Sequence, residues 1–161
     1  TCIFLEPEQI ANMMIPILQR NPDKLWVMTV SPIRHWGDGA HGNQLSKASL
    51  LMAIESIQKV CDNIYYFPSY EIVMDELRDY RFYAADRCHL TRETTDYMLD
   101  RFFCEVVDEA TVELVGKVEK LNKSLQHRPF FPETTEYATF VQKLDKQKEE
   151  LLKTIANQRN L

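Results

Sequence analysis

Ile10, Met13, Met14, Ile17 and Leu18 repeat at the spacing of one helix face, and Pro7 and Glu8 suit a first turn. Residues 7 to 20 are therefore expected to form a helix that ends at Asn21-Pro22-Asp23. Leu25-Trp-Val-Met-Thr-Val30 follows as a short, nearly continuous apolar run closed by Pro32, the pattern of a strand buried on both faces of a parallel sheet. Leu45, Ala48, Leu51, Met52, Ile54 and Ile57 mark a second helix that stops at Asp62-Asn63, and Ile64-Tyr-Tyr-Phe67 is a second strand stopped by Pro68. Strand, helix and strand in this order predict a parallel βαβ crossover.

Beyond it the spacing turns helical throughout. Ile72 to Leu77 is expected to be a short helix, and an aromatic, charged connector runs through Tyr80, Phe82 and Tyr83. A long helix starts near Thr91 and carries Met98, Leu99, Phe102 and Phe103. Val106 to Leu125 continues as helix with a break near Asp108, and Arg128-Pro-Phe-Phe-Pro132 forms a stiff aromatic joint. From Glu133 to Gln158, Tyr137, Phe140, Val141, Leu144, Leu151, Leu152 and Ile155 share one face, so this amphipathic helix is expected to pack rather than bind a membrane. Residues 1–106 thus read as one partial α/β domain and 107–161 as a helical extension. Two parallel strands alone leave outer edges and faces uncovered. Further strands are expected from upstream sequence or from another copy, which makes a homo-oligomer through the sheet edge or the helical tail an expectation.

The 161 residues are 45% hydrophobic and 27% charged, the profile of an ordinary globular protein. A net charge of −5 argues against a nucleic-acid surface, which needs clustered Lys and Arg. No apolar run approaches the roughly 18 to 20 residues that cross a bilayer, and no leader pattern is visible. The expected setting is soluble, cytoplasmic rather than secreted, although the first residue, Thr1, leaves room for a signal or domain removed ahead of it. Cys2, Cys61, Cys88 and Cys104 form no Cys-x-x-Cys pair, so packing thiols are expected rather than zinc or redox chemistry. Cys88 lies between Asp86 and His89 and is weighed as a nucleophile, but neighbouring side chains in an extended turn diverge.

The candidate chemistry gathers in two places. Gly37, Gly39 and Gly42, three of only four glycines, alternate with His35, Asp38, His41 and Asn43 in a segment, Ser31 to Asn43, that leaves the first strand at its carboxyl end. Glycine there suits a flexible polar loop lining a substrate cleft, since ligands of open α/β sheets collect at that edge. Asp86-x-x-His89 follows the second strand toward the same edge. His89 suits a general base, and Asp86 three residues earlier can accept the imidazole Nδ1 hydrogen and fix the tautomer. A capping and surface pair is the plainer reading of that spacing alone. A metal-assisted hydrolase using His35, His41 and His89 is a further reading, ranked lower because a glycine loop offers no pre-ordered ligand face.

The words TVSPIRHWGDGAHGNQLSKA and YYFPSYEIVMDELRDYRFYAAD, together with Asp86-x-x-His89, closely resemble the GSCFA family, a branch of the SGNH (GDSL-like) esterase and acyl-hydrolase superfamily. The resemblance is strong over residues 24 to 106 and extends to the tail around His127-Arg-Pro-Phe130. It implies a three-layer α/β/α sandwich whose serine nucleophile lies in a Gly-Ser-Cys-Phe-Ala motif, with Asp86 and His89 at the triad's acid and base. Gly-Ser-Cys-Phe-Ala is absent here, as is the family's Thr-Phe-Gly-Thr-like segment, and Leu90 replaces the Pro that commonly follows the His. None of Ser31, Ser46, Ser49, Ser56, Ser69 or Ser124 sits in a strand-to-helix nucleophile context.

The expectation is thus the C-terminal part of a serine ester or acyl hydrolase, inactive alone and needing no cofactor. It would act on an acylated carbohydrate or small-molecule ester, with His35, Asp38, His41 and Asn43 lining the cleft. A non-catalytic interaction module is the reading from another class.

Overall fold

The computed structural model describes residues 3–131 and 133–158; Thr1, Cys2, Pro132 and residues 159–161 lie outside the described residues. Contacts divide the chain into two units, one running through Phe102 and one beginning at Phe103.

In the first unit, helix α1 (Pro7–Gln19) opens with its proline in the first turn, where the missing N–H costs nothing. Gln9 Oε1 reaches back to the Glu6 amide at 2.9 Å, and Asn21 Nδ2 takes the Ile17 carbonyl at 2.8 Å at the other end. Strand β1 (Trp26–Met28), helix α2 (Gly39–Gln58) and strand β2 (Ile64–Tyr66) then form the expected parallel unit, with Trp26 opposite Ile64 and Met28 opposite Tyr66. Ala11, Leu18, Ile57 and Cys61 are its buried core, and Met14, Ile15, Trp26, Met28 and Ile64 pack around them.

One side chain ties the unit together. Asn63 Nδ2 donates toward the carbonyls of Leu18, Asn21 and Lys24 at 3.3, 3.1 and 3.1 Å, while the backbone carbonyl of Asn63 accepts from Trp26 N at 2.8 Å and starts the ladder. Phe67 N closes the ladder on the Met28 carbonyl at 2.8 Å.

Two expectations change. The strands are three residues each, and Val27 is 40% exposed rather than buried on both faces, because the sheet of the described residues has only two strands. The glycine segment is not a loose loop: a 3-10 turn (Trp36–Asp38) leads straight into α2 at Gly39. Gly39 adopts φ 70°, the conformation that favours glycine, and a Cβ on Gly42 would stand 2.9 Å from Asp38 Cβ. These glycines let the turn fold tightly against the helix start.

After β2 a helical turn, α3 (Ser69–Glu71), passes into a π-helical stretch (Ile72–Leu77), and a 3-10 turn (Tyr80–Phe82) leads to a pinched hairpin before helix α4 (Arg92–Val106), within which the first unit ends. Thr94, fully buried, donates its hydroxyl to the Phe82 carbonyl at 2.8 Å and fastens α4 to that hairpin.

The second unit contains α5 (Glu109–Leu125) and α6 (Thr135–Gln158). Asp108 caps α5 by accepting from Thr111 N at 2.9 Å, which accounts for the break read there. Leu121 and Leu144 are buried between these helices, whereas Phe130 and Phe131 of the joint are 96% and 67% exposed. The protein is mostly helical with a small parallel sheet. Among the described residues no helix is long and apolar enough to cross a membrane.

Candidate functional site

The pinched hairpin explains why Asp86 and His89 meet. Tyr83 and Leu90 bridge in antiparallel fashion, Ala84 N donates to the His89 carbonyl at 2.8 Å, and Arg87 N donates to the Ala84 carbonyl at 2.8 Å. Four residues must therefore turn within one short loop, and Arg87 takes up the left-handed conformation with φ 57°. The Asp86 carboxylate folds back over that turn. Its Oδ1 accepts the amides of Cys88 and His89 at 2.9 and 3.0 Å, and its Oδ2 accepts from His89 Nδ1 at 2.6 Å.

The imidazole hydrogen bond, seconded by the two backbone amides, holds the Asp86 carboxyl down at about 2. An ionised acid so placed fixes the His89 tautomer with hydrogen on Nδ1 and a lone pair on Nε2. That is the state a general base requires. His89 is 66% exposed at its side chain, so the ring is open to a reactant.

The segment after β1 lies against this turn. Arg34 N donates to the Cys88 carbonyl at 3.3 Å, and the Cys88 thiol is directed at the Arg34 carbonyl rather than at the imidazole. His35 Nδ1 and Asp38 Oδ2 are 3.0 Å apart, a second histidine–aspartate pair three residues apart. Asn43, buried in the first turns of α2, accepts the His35 amide on its Oδ1 at 2.9 Å. His41 is exposed in the first turn of α2, and among the described residues its side chain forms no hydrogen bond or ion pair. The two pairs thus share one backbone junction, and no hydrogen bond joins them directly among the described residues.

No three His, Cys, Asp or Glu side chains among the described residues stand close enough to hold a metal ion. His35, His41 and His89 are not brought together as a ligand set. Four serine hydroxyls are engaged elsewhere: Ser49 donates to the Leu5 carbonyl, Ser69 to that of Val30, Ser56 to Met52 and Ser124 to Lys120. None among the described residues hydrogen-bonds the His89 ring.

Comparison with protein families decides the relationship. The model described as GSCFA family matches residues 6–102, more than half of the chain, and that described as GSCFA domain protein, C-terminal domain matches residues 118–159. The chain belongs to the GSCFA family. Both histidine–aspartate pairs of this GSCFA protein fall inside the first matched region. No curated protein matches the chain, and no solved structure does.

Sequence reasoning missed the surroundings of Arg34. Its guanidinium carbon lies 4.4 Å from the Tyr83 ring centroid, 4.9 Å from that of Tyr80 and 5.7 Å from that of Trp36. Arg34-x-Trp36 and Tyr80-x-x-Tyr83 were visible as an aromatic-flanked cation and an aromatic pair. Nothing local says that they converge.

Proposed function

We propose that this chain supplies the acid and base of a serine-dependent ester or acyl hydrolase of the SGNH type, within a three-layer α/β/α sandwich of which β1, α2 and β2 are one part. The observation that carries the reading is the 2.6 Å contact from His89 Nδ1 to an Asp86 carboxylate that two amides already orient. His89 Nε2 accepts the proton of an attacking serine hydroxyl while that oxygen adds to the substrate carbonyl. Asp86 stabilises the imidazolium, and the same proton passes to the departing alkoxide as the carbonyl re-forms. Water then repeats the sequence on the acyl-enzyme. The serine lies outside the described residues, and the substrate is an acylated carbohydrate or a small ester.

A fluorophosphonate tests this on the protein in which a Gly-Ser-Cys-Phe-Ala segment precedes this chain. Labelling of its serine is expected, and His89→Ala should reduce the labelling rate by about two to four orders of magnitude. Labelling that His89→Ala leaves unchanged rejects His89 as the base.

A further inference from the structure

We infer that the cavity beside the Asp86–His89 turn is a subsite for an oxyanion, a carboxylate or phosphate carried by the ligand. It rests on the hydrolase reading only for what is cleaved next to it. The cavity measures about 190 Å³, and its walls include Arg34, Trp36, Asn43, Gln44 and Tyr70.

The side chains of this wall supply several donors. Asn43 Oδ1 is taken by the His35 amide and Gln44 Oε1 by the Tyr70 hydroxyl at 2.6 Å, which leaves both amide nitrogens to donate. Asn43 is only 8% exposed, so its nitrogen is fixed in place. Trp36 contributes an indole N–H and Arg34 a guanidinium, and no Asp or Glu lines the cavity.

Arg34 completes the case. Three aromatic rings surround its guanidinium, yet among the described residues no carboxylate pairs with it. The Tyr80 and Tyr83 hydroxyls accept two of its five N–H donors, and the remaining donors are left for a charged acceptor. A second cavity, of about 250 Å³, shares Arg34, Met74 and Tyr80 with the first and adds Arg78 to its wall. The Asp79 carboxylate beside it is engaged by the Arg81 amide at 2.8 Å. An acceptor-only group is therefore the chemical complement of the first cavity, which no carboxylate lines. A backbone hydrogen bond from Arg34 to Cys88 ties this wall to the Asp86–His89 turn.

The test is a titration of the full chain, followed by NMR of the Trp36 indole and the Asn43 and Gln44 side-chain amides, with succinate and with inorganic phosphate. Dimethyl succinate serves as the uncharged control. Saturable shifts with the anions and none with the diester are expected. Arg34→Gln should weaken binding at least tenfold, and Gln44→Leu, which leaves the aromatic stack intact, several-fold. Tighter binding of succinate assigns a carboxylate, tighter binding of phosphate a phosphoryl group.

No saturable shift, or equal affinity in Arg34→Gln, overturns the subsite, as does equal affinity in Gln44→Leu where Arg34→Gln does not fold. The readout is binding, so the two proposals fail separately. Fluorophosphonate labelling without anion binding removes the subsite alone, and anion binding without labelling removes the hydrolase alone.

Discussion

Asp86 is held by three donors at once, and this determines how the turn responds to acid. With its carboxyl at about 2, against an ordinary 3.8, the ionised form is favoured by folding. The depressed value means that its contribution is complete above the ordinary carboxylate range and is lost as pH falls through about 2. A carboxyl-carbon NMR titration should place the Asp86 midpoint near 2. His89→Ala should raise that midpoint part of the way toward 3.8, because the imidazole is the largest cause and the two amides remain. A wild-type midpoint at the ordinary value overturns the observed turn. His89 and Asp86 were legible from their spacing, since three residues are enough for the carboxylate to fold back. The aromatic setting of Arg34 was not, because Tyr80 and Tyr83 reach it across more than forty residues of chain.

At the level of elements, Asn63 shows how one side chain can set a junction. It sits where the chain enters β2 and satisfies carbonyls left over by the end of α1 and the turn before β1. Asn63→Ala removes the donor shared by all three and should cost about 1 to 3 kcal/mol in chemical denaturation. A change within about 0.5 kcal/mol would mean that water replaces it fully. Such a role is invisible in sequence, where Asn63 reads only as a helix stop. Local chemistry was easier to read: Pro7 began a helix and Asp108 separated two, because both act on their nearest neighbours. The glycine segment misled for the opposite reason. Three glycines in six residues look like freedom, yet Gly39 serves a left-handed turn, and Gly37 and Gly42 leave room for the His35 ring and for Asp38, which pair with each other.

For the molecule as a whole, the two contact units imply separable responses to damage. Leu144 is 6% exposed, and truncating a buried leucine costs about 2 to 5 kcal/mol. In hydrogen exchange, Leu144→Ala should accelerate the amides of α5 and α6 and leave those of α1 and α2 at their wild-type rates. Acceleration spreading through α1 and α2 would show one cooperative unit instead. The placement of the two tryptophans makes the first unit easy to follow by light. Trp26 packs on the core with its indole N–H buried and unpartnered, while Trp36 is 47% exposed on the cavity wall. The first indole therefore emits toward the blue and resists iodide; the second emits toward the red and is quenched. One emission spectrum thus reports unfolding and cavity occupancy in separate colours, with no dye attached.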